Sequence, residues 1–297
     1  MPIENTSNNR ISVVIPTLNA GSEICSLIRK IKGQTVVPDE IIVVDSSSRD
    51  DTVRIAQEEG AVIKVIRQED FDHGGTRHDA FLMTKGDFVL FLTQDAVPAS
   101  NDYIENLLMP FSDPMVALVS GRQLPKTDAR RFEQLVRAFN YPDTSNVRTR
   151  DDFGRYGIKT FFASDVCSAY RKSAYIACGG FERPCNTNED MAIAAAFIRA
   201  GYKVAYAADA CVYHSHNMTP RQQYDRNKQV GIFLQRHEQL FEGVSETSEG
   251  ARLVKKVSVQ LIHERQFGEL FAFGVDCVAR LLGNRAGRRT VRNGAGQ

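Results

Sequence analysis

Short apolar segments alternate with helical segments along the first hundred residues, and this order restricts the chain to few folds. The apolar segments are rich in β-branched residues and end in polar turns, which is typical of buried strands, at residues 11–15, 40–45, 61–67 and 87–92. Helical spacing predicts helices between them, at residues 23–32, 51–59 and 76–84. This order predicts an α/β fold with a doubly wound, mostly parallel sheet that binds ligands at its carboxyl edge.

The rest of the chain is less regular. Its pattern predicts a strand at 164–171, a helix at 188–200, a strand at 202–206, and two C-terminal helices at 219–241 and 251–282. No internal repeat or low-complexity linker interrupts it. We therefore expect one catalytic domain, residues 1–218, followed by a helical extension, residues 219–297, that ends in a basic tail.

Composition and charge describe a folded, water-soluble protein without a general affinity for nucleic acid. Hydrophobic residues make up 42% of the 297 residues, and 37 basic residues nearly balance 36 acidic ones for a net charge of +1. Because no global basic field exists, any site for a polyanion must be local, and no nucleic-acid partner is expected.

The cysteines and the N-terminal residues indicate the cellular compartment in which the protein is expected. The six cysteines are scattered singly without a C-x-x-C pair, which disfavours a zinc knuckle or redox dithiol and indicates free thiols in a reducing compartment. Residues 1–10 lack the apolar core of a signal peptide, and no apolar run approaches the ~20 residues that span a bilayer. We expect a cytoplasmic protein, with contact to the inner membrane face as an option.

The loops after the first two strands exclude two common nucleotide-binding folds. They read PTLNAG at 16–21 and DSSSRD at 45–50. Neither contains G-x-G-x-x-G or G-x-x-x-x-G-K, so a dinucleotide-binding Rossmann domain and a P-loop both lose support.

Asp45 ends one apolar strand and Asp95 follows another, where a ligand is expected. Asp45 could accept a hydrogen bond from the imide N–H of uracil or thymine, or it could only stabilise an Asx turn or cap the next helix. Asp95 could bind a hard divalent cation that bridges phosphate oxygens, or it could cap a loop. The two residues alone leave both alternatives open.

Three further groups have both a chemical and a structural interpretation. Glu189 and Asp190 open a helix, where acids complement the helix dipole, but a carboxylate there could also act as a general base. His214 and His216 project to the same side of an extended segment, which suits a metal or a phosphate, or a solvated pair. The loop at 73–77 could bind phosphate or be an ordinary glycine turn.

The order of these motifs resembles the family 2 glycosyltransferases over residues 11–216. The resemblance rests on IPTLNA at 15–20, VVDSSSRDDT at 43–52, residues 87–95, GGFE at 179–182, the Glu189–Asp190 pair and RAG at 199–201. FDHGGTR at 71–77 and TQDA at 93–96 are similar to the rhamnosyltransferase branch.

The resemblance implies a GT-A fold and an inverting hexosyltransferase. Its nucleotide-sugar half would comprise residues 11–100 and its acceptor half residues 101–218. The branch implies transfer of L-rhamnose from dTDP-rhamnose to a hydroxyl of a polysaccharide or lipid-linked oligosaccharide. A divalent cation, Mg²⁺ or Mn²⁺, would lie on the diphosphate.

The resemblance also implies individual roles. The residues that would bind the nucleotide sugar are Pro16, Thr17, Asn19, Asp45, Arg77, Gln94 and Asp95, with Asp45 on the base. Asp95, with His214 or His216, would hold the metal, and Asp190 would be the general base. The acceptor cleft would be shaped by Gly179, Gly180, Phe181 and Glu189.

One position departs from the family's pattern. Thr93 replaces the first aspartate of the usual D-x-D motif, which puts a ribose or second metal contact in doubt. Because Mg²⁺ takes few protein ligands when phosphates supply the others, we do not expect the change to abolish activity. Arg226 or Lys228 could add positive charge near the diphosphate, or both could be solvated helix residues.

Two rival functions remain. A sugar nucleotidyltransferase would be expected to carry a glycine-rich, arginine-containing loop after the first strand, and residues 16–21 do not supply it. A nucleotide-sugar-binding protein without turnover would bind donor and release no nucleotide.

The composition of the C-terminal segment suggests a membrane surface as a binding partner. No acid follows Asp276, while five arginines accumulate behind an apolar helix. Such a segment could rest on an anionic membrane where a lipid-linked acceptor lies. The alternative is a core-packing helix followed by a disordered polar tail.

Overall fold

A single nine-stranded sheet organises the fold. The computed structural model describes residues 9–244 and 247–294. The strands of the sheet are β1 (Ile11–Thr17), β2 (Glu40–Asp45), β3 (Val62–Val65), β4 (Phe88–Leu92), β5 (Val97–Pro98), β6 (Val116–Leu124), β7 (Asn146–Arg148), β8 (Cys167–Arg171) and β9 (Lys203–Tyr213). Their spatial order is β3-β2-β1-β4-β8-β6-β9-β5, and β7 pairs with β9.

Most of these strands run in one direction, as the alternating sequence pattern predicted. β1, β2, β3 and β4 are mutually parallel, β6 is parallel to β9, and β8 runs antiparallel between β4 and β6. Thr17 at the end of β1 is in register with Asp45 at the end of β2. The loops after these two strands therefore leave the sheet side by side.

Helices cover both faces of the sheet and extend beyond it. They are α1 (Ile24–Lys32), α2 (Thr52–Glu58), α3 (His73–Met83), α4 (Tyr103–Leu108), α5 (Arg131–Asn140), α6 (Phe153–Tyr156), α7 (Lys172–Ala177), α8 (Glu189–Arg199), α9 (Pro220–Arg236), α10 (Thr247–His263) and α11 (Phe267–Gly294). α1 buries a stripe at helical spacing, Ile24, Leu27, Ile28 and Ile31, in one core. α3 and α8 bury Phe81 and Phe197 in the core on the opposite face.

Several sequence-predicted elements have different bounds in the structure. α3 begins at His73, three residues earlier than predicted, because Asp72 caps the helix by accepting from the backbone N–H of Gly75. The predicted strand at 202–206 is part of one longer strand, β9, whose pairing with β6 shifts register after Gly121. The long helix predicted at 251–282 is two helices, because Arg265 adopts a left-handed conformation between α10 and α11.

The C-terminal helices form a compact subassembly. α9 and α11 pack together closely, because glycines at 231, 283 and 287 leave no Cβ between the two backbones. Phe132 of α5, Leu261 of α10 and Phe273 of α11 share a third hydrophobic core. The described part of α11 continues to Gly294, so the disordered tail considered after residue 282 is not what the structure contains there. None of the helices in residues 9–244 and 247–294 could cross a membrane.

Candidate active site

Three loops at the carboxyl edge of the sheet are hydrogen-bonded to one another. The Gln94 amide accepts from the backbone N–H of Leu18 at 2.8 Å and donates to the carbonyl of Leu18 at 3.2 Å, which joins the loop after β4 to the loop after β1. Asn19 accepts from the backbone N–H of Arg49 at 2.9 Å, and its own N–H donates to the Ser48 hydroxyl at 2.7 Å. Parts of the chain separated by up to 76 residues thus form one surface.

Asp45 lies at the end of β2 and is fully buried. Its carboxylate accepts from the Thr17 hydroxyl at 3.0 Å, from the backbone N–H of Ser48 at 2.7 Å and from the Ser48 hydroxyl. The turn-stabilising alternative is therefore present in the structure. Contact between Asp45 and a nucleobase stays a prediction. Pro16 is partly exposed beside Thr17.

Asp95, His214 and His216 form a cluster that could hold a metal ion. Nε2 of His214 and Nε2 of His216 lie 3.4 and 3.2 Å from Oδ2 of Asp95, and 3.1 Å from each other. One ligand atom from each residue lies within 4.8 Å of those of the other two. The Asp95 carboxylate suits Mg²⁺ or Mn²⁺, whereas imidazole nitrogens are ligands of transition-metal ions and not of Mg²⁺. Both histidines, and not one of them, converge on Asp95.

The protonation of this cluster also suits a cation. Burial lowers the pKa of His214 to about 3, so its imidazole is neutral at physiological pH. Nδ1 of His214 lies 2.9 Å from Oε1 of Gln123, which can only accept, so Nδ1 carries the proton and Nε2 keeps its lone pair toward Asp95. Oε1 of Gln123 also accepts from Nη1 of Arg137 at 2.6 Å.

The Asp95 carboxylate is ionised despite its partial burial. Burial alone would raise its pKa, but the hydrogen bond to His216 and the nearby His214 hold the pKa of Asp95 below its usual range. Lys126 also lies close, with Nζ 3.8 Å from Oδ2 of Asp95. The cluster therefore combines one anionic oxygen with two imidazole nitrogens. The ammonium group of Lys126 beside it could contact a phosphate.

Two hydrogen bonds connect Asp190, through Asp165 and Val166, to the loop that carries Asp95. Its Oδ2 accepts from the backbone N–H of Asp165 at 3.2 Å, and its Oδ1 accepts from its neighbour Met191 at 2.7 Å. The residue after Asp165, Val166, accepts from the backbone N–H of Thr93 at 3.1 Å. Asp190 is thus held beside the loop that carries Asp95.

Behind Asp190 lies a buried ionic cluster. Nη1 of Arg77 is 2.9 Å from Oε1 of Glu189, and Nε of Arg77 is 3.9 Å from Oδ2 of Asp165. Oδ1 of Asp165 also accepts from the hydroxyls of Ser168 and Tyr170. Because three carboxylates, counting Asp190, share one guanidinium, the acids cannot all ionise at low cost.

The electrostatics of this cluster favour a base that binds a proton readily. Burial first, and then the charges of Glu189 and Asp165, raise the pKa of Asp190 well above its ordinary value. Burial likewise raises the pKa of Asp165 to about 6, in spite of Arg77. A carboxylate with a raised pKa is a stronger general base for an alcohol than an ordinary surface carboxylate.

Five of the predicted site residues lie in a buried ion pair, in a turn or in the core. Arg77 and Glu189 are both buried and pair with each other, so binding of nucleotide by Arg77 stays a prediction. Gly179 and Gly180 form a turn with positive φ. The ring of Phe181, 3% exposed, packs 5.1 Å from Tyr175 in the core, so the side chain gives no support to its assignment to the acceptor cleft.

The glycine loop at the start of α3 serves the fold. The backbone N–H of Gly75 donates to Asp72, and that of Gly74 donates to the carbonyl of Cys185 at 2.8 Å. A Cβ at position 74 would collide with the backbone of Glu182. These donors are occupied within the chain, so the phosphate-binding alternative for this loop loses support.

Arg226 is within electrostatic reach of the site. Burial, and then the charges of Arg77 and Arg226, lower the pKa of His73 to about 4. Arg226 on α9 therefore lies near the start of α3, and a contact between Arg226 and a diphosphate stays a prediction. Gln123, Lys126 and Asp165 were not predicted as part of the site, because no motif marks them.

Comparison with known proteins identifies the family of this chain. Residues 12–179 match the family described as Glycosyl transferase family 2. The chain belongs to family 2 of the glycosyltransferases and is a glycosyltransferase, as its resemblance implied.

Two curated relatives are similar to this chain in sequence. The chain is 46% identical over 226 residues to the O-antigen chain rhamnosyltransferase RfbN of Salmonella typhimurium, covering 75% of this chain and 72% of that protein. It is 43% identical over 224 residues to the O-antigen chain rhamnosyltransferase WbaN of Salmonella anatum, covering 75% and 71%. The resemblance to the rhamnosyltransferase branch is confirmed.

Solved structures confirm the GT-A fold. The mannosyltransferase PcManGT of Pyrobaculum calidifontis, solved with GDP-Man and Mn²⁺, superposes with a TM-score of 0.66 at 15% identity, over 94% of this chain and 88% of that one. Glucosyl-3-phosphoglycerate synthase of Mycobacterium tuberculosis, solved with Mn²⁺, UDP-glucose and phosphoglyceric acid, gives a TM-score of 0.54 at 19% identity, over 81% and 82%.

Proposed function

We propose that the protein is an inverting rhamnosyltransferase that moves L-rhamnose from dTDP-rhamnose to a hydroxyl of an O-antigen-type polysaccharide or its lipid-linked precursor. The observation that carries the transfer reaction is the juxtaposition of Asp190 with the Asp95–His214–His216 cluster. The choice of rhamnose and of an O-antigen acceptor is supported by the two Salmonella relatives, which are O-antigen chain rhamnosyltransferases.

Asp190 acts as the general base. It removes the proton of the acceptor hydroxyl while that oxygen forms a bond to C1 of the sugar on the face opposite the diphosphate. The bond between C1 and the diphosphate oxygen breaks with its electron pair, so dTDP leaves and the anomeric centre inverts. Two backbone N–H groups, from Asp165 and Met191, orient the carboxylate for this step.

Asp95, His214 and His216 hold the divalent cation. When bound, the cation supplies Lewis-acid stabilisation of the charge that grows on the diphosphate. Gln123 keeps His214 in the ligating tautomer, and Lys126 and Arg226 place positive charge for the same phosphate oxygens. Mn²⁺ in the two solved GT-A structures supports a metal of this kind.

We place the enzyme at the cytoplasmic face of a membrane, which it contacts through α11. The exposed apolar side chains of α11 recur at helical spacing on one stripe: Phe267, Phe271, Val275, Val278 and Leu282. Exposed arginines continue the same stripe at the same spacing: Arg285, Arg289 and Arg292. An apolar stripe that runs into a basic one suits the interface of an anionic bilayer.

A donor screen tests the proposal. The full chain is incubated with Mn²⁺, a lipid-linked oligosaccharide acceptor, and dTDP-rhamnose, UDP-glucose, UDP-galactose or GDP-mannose in turn. Of the four donors, we expect only dTDP-rhamnose to give nucleotide release and a product whose anomeric configuration at C1 is inverted. Transfer from another donor would overturn the choice of sugar, whereas donor binding without nucleotide release, across a range of acceptors, would favour the non-catalytic binding protein.

A further inference from the structure

A second pocket, of about 290 Å³, lies between the end of α5, β7 and α10. None of the residues assigned above to sugar transfer lines it. Its walls combine aromatic rings, among them Phe139 and Phe162, with the basic side chains of Arg148, Lys159 and Lys256. This composition differs from that of an ordinary packing defect, which is apolar.

Arg148 is the residue that defines the chemistry of this pocket. Arg148 is only 4% exposed, and its Nη1 donates to the carbonyl of Lys159 at 2.6 Å. Nε and Nη2 have no hydrogen-bond partner among the residues that the structure describes. These two atoms form one edge of the guanidinium, the edge that binds the two oxygens of a carboxylate or phosphate side-on.

Leaving that edge unpaired is costly. Burial lowers the pKa of Arg148 to about 10, although Tyr156 and Asp152 partly oppose the shift, so the group stays charged at neutral pH. A buried charged donor without partners destabilises a fold, and native proteins nearly always satisfy such groups. The Nε–Nη2 edge is closed to solvent in this structure, so an anion in the pocket would supply both missing acceptors once the Arg148 side chain turns that edge toward it.

Asn146 adds a second unpaired group. It lies two residues before Arg148 on β7, so both side chains project to the same face of the strand, and its Oδ1 is also buried with no partner in the described chain. This oxygen accepts hydrogen bonds and does not bind an anion. A ligand that satisfies both residues therefore carries a hydroxyl beside its anionic group.

The net charge around the pocket is positive. Glu249 is its acidic lining residue, and it is engaged by Lys159 at 2.9 Å and by Arg252. Asp152, near Arg148, is engaged by the backbone N–H of Thr149 at 2.9 Å. Lys256, with Nζ 5.8 Å from the centre of the Phe139 ring, contributes a further cation at the exposed rim.

We propose that this pocket binds a hydroxylated oxyanion, a saccharide that carries a phosphate or a carboxylate. Arg148 takes two anionic oxygens through Nε and Nη2, Asn146 accepts from a hydroxyl, and the rings of Phe139 and Phe162 pack against the sugar. The ring of Phe162 lies 5.6 Å from that of Tyr141, and Arg137, which binds Gln123 of the metal-ligand cluster, lies over Tyr141 at 6.0 Å. The pocket is therefore one packed layer away from the candidate metal site.

Titration calorimetry on the full chain tests this proposal. Glucose 1-phosphate, glucuronate, glucose and inorganic phosphate are the probes, and EDTA removes divalent cations so that binding at the metal cluster does not contribute. We expect one of the two sugar acids to bind at least about tenfold more tightly than glucose or inorganic phosphate, and which of them does so identifies the anion. Equal binding of sugar acid and free phosphate, or no binding of either sugar acid at millimolar concentration, would overturn it.

Three variants locate the binding. Arg148→Lys keeps the charge and removes the fork, and we expect affinity to fall about tenfold or more; Lys256→Gln, at an exposed position, should lower it by about two- to fivefold. Arg150→Lys makes the same change at an exposed arginine outside the pocket and should have no effect. Unchanged affinity in both Arg148→Lys and Lys256→Gln contradicts the proposal.

Crystallography provides a readout that does not depend on the stability of a variant. Selenate, a tetrahedral oxyanion with a strong anomalous signal, is soaked into crystals of the unmodified chain. An anomalous peak beside Nε and Nη2 of Arg148 supports the site. A peak elsewhere, with none in this pocket, refutes it even if Arg148→Lys does not fold.

Discussion

The backbone N–H of Asp165 donates to Oδ2 of Asp190 at 3.2 Å, while the carboxylate of Asp165 lies buried behind it beside Arg77. The same residue therefore orients Asp190 with its main chain and raises the pKa of Asp190 with its side chain. Orientation and basicity come from one buried cluster and not from the surface of the cleft. This arrangement leads to the first two predictions.

Asp190→Asn should abolish transfer while donor binding persists. The substitution removes the base and changes the volume little, so we expect kcat to fall by about 10²- to 10⁴-fold with the affinity for dTDP-rhamnose and Mn²⁺ unchanged. Nucleotide release measures kcat, and calorimetry measures donor binding. Asp209→Asn, the same change at an exposed residue of β9, is the control and should retain full activity. Undiminished turnover of Asp190→Asn would exclude its role as base.

Asp165→Asn should change the pH dependence of both stability and activity. Because the folded pKa of Asp165, about 6, exceeds the unfolded value, the folded wild type binds the extra proton, and this contribution to the free energy of unfolding is lost as the pH rises from about 4 to 6. Asn cannot titrate, so the stability of the variant relative to the wild type should increase over that window.

The same variant removes a like charge beside Asp190, so the acid limb of the pH–rate profile should move to lower pH. Chemical denaturation at several pH values and kcat over the same range are the measurements. A variant whose stability and rate profiles parallel those of the wild type would show that the side chain of Asp165 does not act on Asp190.

Gln123→Met should weaken metal binding, although Gln123 is not itself a proposed ligand. Its Oε1 contacts Nδ1 of His214, and not the Nε2 atom that faces Asp95. The variant removes the acceptor that fixes the tautomer of His214, and loss of such a partner typically costs about 10- to 100-fold in metal affinity. Titration with Mn²⁺ in the presence of dTDP measures it, and Gln57→Met at an exposed position of α2 is the control. Equal Mn²⁺ affinity in the two variants would remove Gln123 from the site.

The parallel half of the fold and much of its site follow from local sequence. β1, β2, β3 and β4 are short apolar runs. Asp45 ends one of them and Asp95 follows another, so their placement at one edge of the sheet is predictable. Gln123 and Asp165 could not be predicted, because their contacts join residues 91 and 25 positions apart. Nothing in their own neighbourhood shows which strand or loop will face them.

The same limit explains where the structure gives a prediction no support and where it differs from one. Phe181 lies in a glycine-rich motif, and sequence alone does not show that its ring turns inward against Tyr175. The residue that takes the left-handed conformation at the break is Arg265 and not a glycine, so two helices were predicted as one. Predictions were most accurate where the chain repeats one regular period and least accurate where long-range packing decides.

The close packing of α9 against α11 predicts opposite effects of two glycine substitutions in one helix. A Cβ at Gly287 would collide with the backbone of Lys228, so Gly287→Ala should destabilise the protein by about 1–3 kcal/mol. Gly274, in the same helix, has open space around its Cα, so Gly274→Ala should stabilise by about 0.5–1 kcal/mol through helix propensity. Urea denaturation compares them. Equal effects would show that α9 and α11 are further apart than described.

Phe271→Ser should weaken binding to anionic vesicles. Phe271 belongs to the apolar stripe of α11 and is 76% exposed, so its loss removes membrane-buried area without disturbing the core around Phe273. Flotation with vesicles that contain an anionic phospholipid should recover the wild type at low salt and less of the variant, and high salt should reduce the binding of both, since the arginines act electrostatically. Leu82→Ser, at an exposed apolar residue of α3, is the control and should float like the wild type. Wild-type protein that stays with the soluble fraction, or a stripe variant that floats equally well, would leave α11 without a role at the membrane.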